Sequence, residues 1–179
     1  AVIAAVSRFA IKDVILAAHW SQYRPESERF RAGLASAVES LGQAGARVWI
    51  LEDTPDLPFN PSRMAKRRFV PDGALAPFTF SRDEYDRQRA VFRGMVARLG
   101  EAAPFRLLDP APIYCDAVAC RAVRGGRLVF RDVHHVNRSG SLLMAPVLAA
   151  AFAAESAPFG RPSVVTGSDR RELAGVRSR

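Results

Sequence analysis

The chain is poor in cysteine, histidine and lysine, and each shortage excludes something. Only two cysteines occur among 179 residues, so no second cysteine pair exists to complete a zinc site. The histidines number three, and two of them, His134 and His135, are adjacent. Together with His19 and Asp132 they offer ligand types suited to zinc or iron. Metal-binding histidines, however, come at spacings that put two on one face, whereas neighbours on an extended loop face opposite ways, so no metal is expected. Long apolar runs are missing too. No window approaches the roughly 18 apolar residues of a membrane span, because the Ala-rich run after Gly140 is interrupted by Pro146, and the chain reads as soluble. Ala1 is not an initiator Met, and no charged stretch followed by a long apolar core opens the sequence, so no signal peptide can be read.

What is present suits a globular domain. A hydrophobic content of 49% in 179 residues is enough for one core, and the length suggests one domain. The net charge of +8 and pI near 10.6 raise the question of an anionic partner. Lys12 and Lys66 are the only lysines. The arginines scatter through segments such as Arg82 to Arg98, interleaved with Asp83, Glu84 and Asp86, as on a solvated helix face. Clusters at Arg63-Lys66-Arg67-Arg68 and from Arg161 to Arg179 suit a lipid head group or an acidic glycan. Neither is interleaved with aromatics as in single-strand binders, and no nucleic-acid partner is expected.

Strand and helix patterns alternate. Asp13 to Ala18 and Arg47 to Leu51 read as strands buried on both faces, and Glu26 to Gln43 reads as a helix carrying Phe30, Leu34, Val38 and Leu41 at near-helical spacing. Glu52 to Ala76 lacks periodicity and reads as a long loop or short helical turns. Ser81 with Glu84 forms a capping box for a helix to about Leu99, and Phe105 to Leu108 gives a third strand. Arg124-Gly125-Gly126-Arg127 suits a two-residue hairpin turn. Asn137 is a candidate N-cap of a final helix running to about Ala154. Residues 155–179 read as a flexible basic tail. This order predicts an α/β fold, a three-layer α/β/α sandwich with a mostly parallel sheet, over residues 1–154.

The most informative stretch is Asp132-Val133-His134-His135, followed by Asn137-Arg138-Ser139-Gly140 and an apolar run. An acid three residues before an imidazole, on a loop entering a helix, serves a chemical purpose. The carboxylate holds one ring nitrogen and fixes the tautomer, so that the other nitrogen faces a nucleophile as general base. Asp132 and His135 are the candidate catalytic residues.

Around this block the chain resembles the SGNH hydrolase-like domain that accompanies the membrane part of acyltransferase family three, enzymes that O-acylate bacterial surface polysaccharides. Four features carry the resemblance in order from about Val14 to Ala150. They are the strand Val14 to Ala18 leading through His19 to Trp20 and Tyr23, the strand Val48 to Leu51 leading to Pro55, the closely spaced Cys115 and Cys120 before a hairpin, and Phe130 to His135. The resemblance implies a serine O-acyltransferase or esterase, without a cofactor, that moves acetyl groups between an acyl donor and a glycan acceptor. It also implies a periplasmic place, tethered to the inner membrane through a membrane acyltransferase domain of the same full-length protein.

Such domains carry their nucleophile in a Gly-Asp-Ser turn after the first strand, and that block does not occur here. The sequence therefore reads as an N-terminally truncated domain whose nucleophile lies outside it. The alternative is an inactive remnant or glycan-binding module. Trp20 and Gln22 occupy the place of the usual oxyanion-hole Asn, which suggests Trp20 as a pocket wall and Gln22 or backbone amides as donors. Cys115 and Cys120 would be bridged in an exported domain, and unpaired buried thiols are the other option. Val164 to Ser168 imitates a strand entering a Gly-Ser turn, which makes Ser168 a decoy for the nucleophile.

Overall fold

The computed structural model describes residues 1–67, 79–100, 103–153 and 164–166. The described chain comprises two compact units built from non-consecutive segments. The first comprises Ala1–Asp53, Arg89–Asp109 and Ala150–Thr166, and the second includes Thr54–Gln88 and Pro110–Ala149.

The first unit is built on a parallel sheet. Strands β1 (Asp13–Ala17), β2 (Arg47–Leu51), β4 (Arg106–Asp109) and β8 (Val164–Thr166) lie in the order β1-β2-β4-β8. β2 is buried at Val48, Trp49 and Ile50, as its apolar run predicts. β1 is not buried on both faces: Asp13 to Leu16 are half-buried and Ala17 is exposed. Among the described residues it pairs with β2 alone, as an edge strand does. Asp13 there accepts hydrogen bonds from Arg47 and from the Trp49 indole at 2.6 to 2.9 Å.

Helix α1 (Val2–Phe9) buries Val6 and leaves Val2 and Phe9 exposed. Ser27 caps helix α2 (Glu28–Gln43), accepting from the Phe30 N–H, and the helix buries Leu34, Val38 and Leu41. The 3-10 turn Trp20–Tyr23 joins β1 to this helix. Helix α4 (Arg82–Leu99) contributes Phe92, Met95, Val96 and Leu99 to the same core, with Phe105 and Leu107 from β4 and its approach.

β8 falls in the stretch read as a flexible tail. Its β-branched Val164-Val165-Thr166 pairs in parallel with Leu107 to Asp109, satisfying backbone groups that β4 leaves open on that side. The rest of 155–179 and Ser168 lie outside the described residues.

The second unit is assembled from short elements. Within the stretch read as a long loop or short helical turns, α3 (Pro61–Arg67) forms. Beyond that stretch, β3 (Thr79–Ser81) pairs antiparallel with β5 (Ala119–Arg121). After α5 (Ala111–Tyr114), the hairpin β6 (Val123–Arg124) and β7 (Arg127–Leu128) turns through Gly125 and Gly126 at φ 55 and 73, values that favour glycine. The expected single helix after Asn137 is two, α6 (Arg138–Leu142) and α7 (Ala145–Ala153). Pro146 has no N–H for the Leu142 carbonyl, so a continuous helix would lose that bond and clash there. No helix among the described residues is long and apolar enough to cross a membrane.

Candidate active site

The loop 131–136 of the second unit is held from both ends. Behind it, the Asn137 N–H donates to Val129 O, its side-chain amide donates to Leu128 O, and its Oδ1 caps α6 by accepting from Gly140 N–H at 3.0 Å. Across the loop, Arg131 N–H donates to His135 O at 2.7 Å, and Phe130 faces Val136 in an isolated antiparallel bridge. Tyr114, buried beside Phe130, donates its hydroxyl to Gly140 O at 3.0 Å, and burial pushes the phenol up to about 12. The segment after β2 braces the outside: Leu57 N–H donates to Val133 O, Thr54 Oγ1 to His134 O and Ser62 Oγ to Arg131 O, at 2.6 to 3.1 Å.

This bracing presents an acid and an imidazole to each other. Both carboxylate oxygens of Asp132 lie 3.0 Å from His135 Nδ1. Oδ1 also accepts the backbone N–H groups of His135 and His134, and Oδ2 lies 3.2 Å from Arg131 Nε. Desolvation pushes the Asp132 carboxyl upward, but those two N–H groups, the imidazole and the guanidinium outweigh it and hold the acid well below the usual carboxylate range. Asp132 therefore stays ionised at neutral pH and favours the tautomer with a proton on Nδ1. The His135 side chain is 54% exposed, so the couple sits at the surface of its unit.

The two histidines do not face opposite ways. Their ring centroids are 4.1 Å apart, and ligand atoms of Asp132, His134 and His135 lie within 4.8 Å of one another. The alternation argument assumed an extended loop. Asp132 instead bends the chain into a tight turn by accepting N–H groups two and three residues ahead. The carboxylate is already engaged by two amides, an imidazole and a guanidinium, the pattern of an orienting acid.

Trp20 and Gln22 belong to the first unit. Trp20 is 6% exposed, stacked on Phe92 at 5.2 Å, with its indole N–H donated to Leu51 O at 2.7 Å. The Trp20 and Ser21 N–H groups donate to the Asp53 carboxylate at 2.9 and 3.1 Å, and the Gln22 N–H to His19 O at 3.1 Å. The Trp20, Ser21 and Gln22 backbone amides are thus committed, and the exposed Gln22 carboxamide is one of the polar side chains the turn presents, beside the hydroxyls of Ser21 and Tyr23. Cys115 and Cys120, paired in an antiparallel bridge, are joined by a disulfide.

Sequence reasoning missed Asp53 and a buried quartet. Glu52 and Asp109, at the carboxyl ends of β2 and β4, are held by Arg89 and Arg93 of α4 at 2.5 to 3.2 Å. Desolvation pushes the Glu52 carboxyl up despite both guanidiniums. The available signal was an acid at the end of each buried strand and two arginines four residues apart on one helix face.

A parallel sheet with flanking helices and an Asp–His couple on a loop entering a helix define an α/β protein of the SGNH type. The family model for the SGNH domain fused to AT3 domains matches residues 1–150, and the chain belongs to that family. No curated protein matches the sequence significantly. Among solved structures, the periplasmic domain of the lipopolysaccharide acetyltransferase of Salmonella ser. Paratyphi A is similar in fold, with a TM-score of 0.57 at 15% identity over 84% of this chain. The chain spans 60% of the length of that domain.

Proposed function

We propose that this chain is part of a serine-type O-acyltransferase or esterase that acts on acyl groups of a cell-surface polysaccharide. The observation that carries the reading is the contact of both Asp132 oxygens with His135 Nδ1 at 3.0 Å. Family membership and the fold shared with a lipopolysaccharide acetyltransferase domain support it.

In this reading His135 Nε2 takes the proton of a serine hydroxyl supplied from outside residues 1–179 as that oxygen attacks the carbonyl of the acyl donor. Asp132 stabilises the imidazolium. The proton then passes to the departing group, leaving an acyl-serine ester. A glycan hydroxyl next gives its proton to His135, attacks the ester and leaves acylated, returning the proton to serine. The Gln22 carboxamide is our candidate donor to the developing oxyanion, and Trp20 fixes the turn that carries it. The work takes place outside the cytoplasm, beside a membrane acyltransferase domain of the same protein.

The test uses the full-length protein and a chromogenic acetyl ester. Asp132→Asn is expected to lower turnover by about 10⁴, and His135→Ala to at least that degree. Wild-type turnover in either variant sinks the assignment.

A further inference from the structure

The first unit carries a feature that the Asp132–His135 chemistry does not use. An open groove of about 490 Å³ runs along α2, with Phe30, Gly33, Leu34 and Ala37 on its floor, Tyr23 as a wall and Arg29 as its one charged lining residue. Helical spacing places the floor residues on one face.

Tyr23 is 58% exposed, yet it is not a loose side chain. Its ring stacks on Phe30 at 6.1 Å and 20°, Phe30 meets Trp20 edge-on at 6.3 Å, and Trp20 stacks on buried Phe92 at 5.2 Å. Four aromatic rings thus connect the core to the surface and hold an exposed aromatic in place. Gly33 is a second oddity. Glycine inside a helix costs about 1 kcal/mol relative to alanine, and a Cβ at Gly33 would meet nothing within 4 Å. Packing inside the unit therefore does not require glycine, and its absent side chain widens the floor. The neighbouring acid Glu28 is paired with Arg31, and the exposed Arg24 and Glu26 offset each other in charge. Arg29 is left as the cation of the groove.

We propose that this groove binds an acidic pyranose residue of the acceptor glycan, the apolar face of the sugar against Tyr23 and its carboxylate at Arg29. An ordered aromatic beside a few polar groups suits a ring with one apolar face and hydroxyls at its edge. An acyl chain calls for an enclosed apolar cavity, whereas this groove is open. The single positive charge selects an anionic sugar over a neutral one. The acceptor's identity as a glycan rests on the function proposed above, but binding does not require the serine nucleophile.

The experiment titrates the 179-residue chain with a glucuronate-containing tetrasaccharide, and with neutral chitotetraose as control, following backbone amide signals by NMR. Saturable shifts confined to the amides of Tyr23, Arg29, Gly33 and Ala37 are expected for the acidic sugar. Tyr23→Ala weakens binding about tenfold, equivalent to about 1.4 kcal/mol. Arg29→Gln weakens the acidic sugar about tenfold and leaves the neutral one unchanged. Both side chains are exposed, so unaltered spectra of the free variants establish that they are folded. No saturable shift in the wild-type chain, or affinity unchanged in both variants, overturns the proposal. Ester hydrolysis by the full-length protein without glycan binding here removes the groove alone, and binding here without any ester hydrolysis removes the enzymatic reading alone.

Discussion

Arg89→Met isolates the charge of the buried quartet, because methionine keeps much of the aliphatic stem and removes both the cation and its donors. The Arg89 side chain is 3% exposed and donates to Glu52 Oε2 at 3.2 Å and Asp109 Oδ1 at 2.9 Å. Two charge-assisted bonds at about 1.5 kcal/mol each give about 3 kcal/mol. That lies at the low end of the roughly 3 to 5 kcal/mol expected when one partner of a buried pair is removed. The low end is reasonable, because Arg93 still reaches both acids at 2.5 and 2.8 Å. The loss also depends on pH. Burial already raises Glu52 above its ordinary 4.5, and removing a cation raises it further in the folded state. A folded state that binds more protons than the unfolded one loses stability as pH rises between the two values. The deficit of the variant is therefore largest near neutrality and shrinks as pH falls toward 4.5. Urea denaturation of wild type and variant at pH 7 and pH 5 measures both effects. A loss under about 1 kcal/mol at pH 7, or an equal loss at the two pH values, would refute the reasoning.

Gly140→Ala should disturb the loop from behind, since a Cβ there runs into the carbonyl oxygen of Val129 and meets Val136 Cβ at 3.0 Å. A destabilisation of about 1–3 kcal/mol and a loss of ester hydrolysis in the full-length protein are expected, read by thermal melting and turnover, and an unchanged melting temperature contradicts the packing described. Replacing Cys115 and Cys120 by serine opens a loop of six residues, which chain-entropy reasoning values at about 2 kcal/mol. Denaturation of the oxidised wild type beside the variant checks this, and equal midpoints would show that the bridge adds nothing. Asp13 is pushed up by desolvation but pulled further down by Arg47 and the Trp49 indole, so its carboxyl sits below its ordinary 3.8. Its contribution is complete above 3.8 and is lost as pH falls through the folded-state value. Asp13→Asn should cost on the order of 1 kcal/mol at neutral pH and flatten the acid limb of the stability curve; a parallel acid limb argues against the pair.

Features written in consecutive residues were legible. The strand Arg47–Leu51 and the cap at Asn137 depend on neighbours within a few positions, and so does the Asp132–His135 spacing, which needs no distant partner to be read. Pairing across the chain was not legible. Asp13 looked like the start of a strand buried on both faces, because an apolar run states how greasy a strand is and not how many neighbours it has. Val164–Thr166 looked like tail because three residues cannot reveal that β4 has an open side. The two histidines looked opposed because alternation holds only for extended backbone, and the acid that makes the site interesting is the same one that bends the loop. Asp53 and the Glu52 quartet escaped for a related reason. Their partners lie 16 to 41 residues away, and a charged residue gives no sign in sequence of whether it ends in water or beneath a sheet. The contact of a candidate acid with a candidate base can thus be read from local order, while the supports that make it rigid have to be seen in three dimensions.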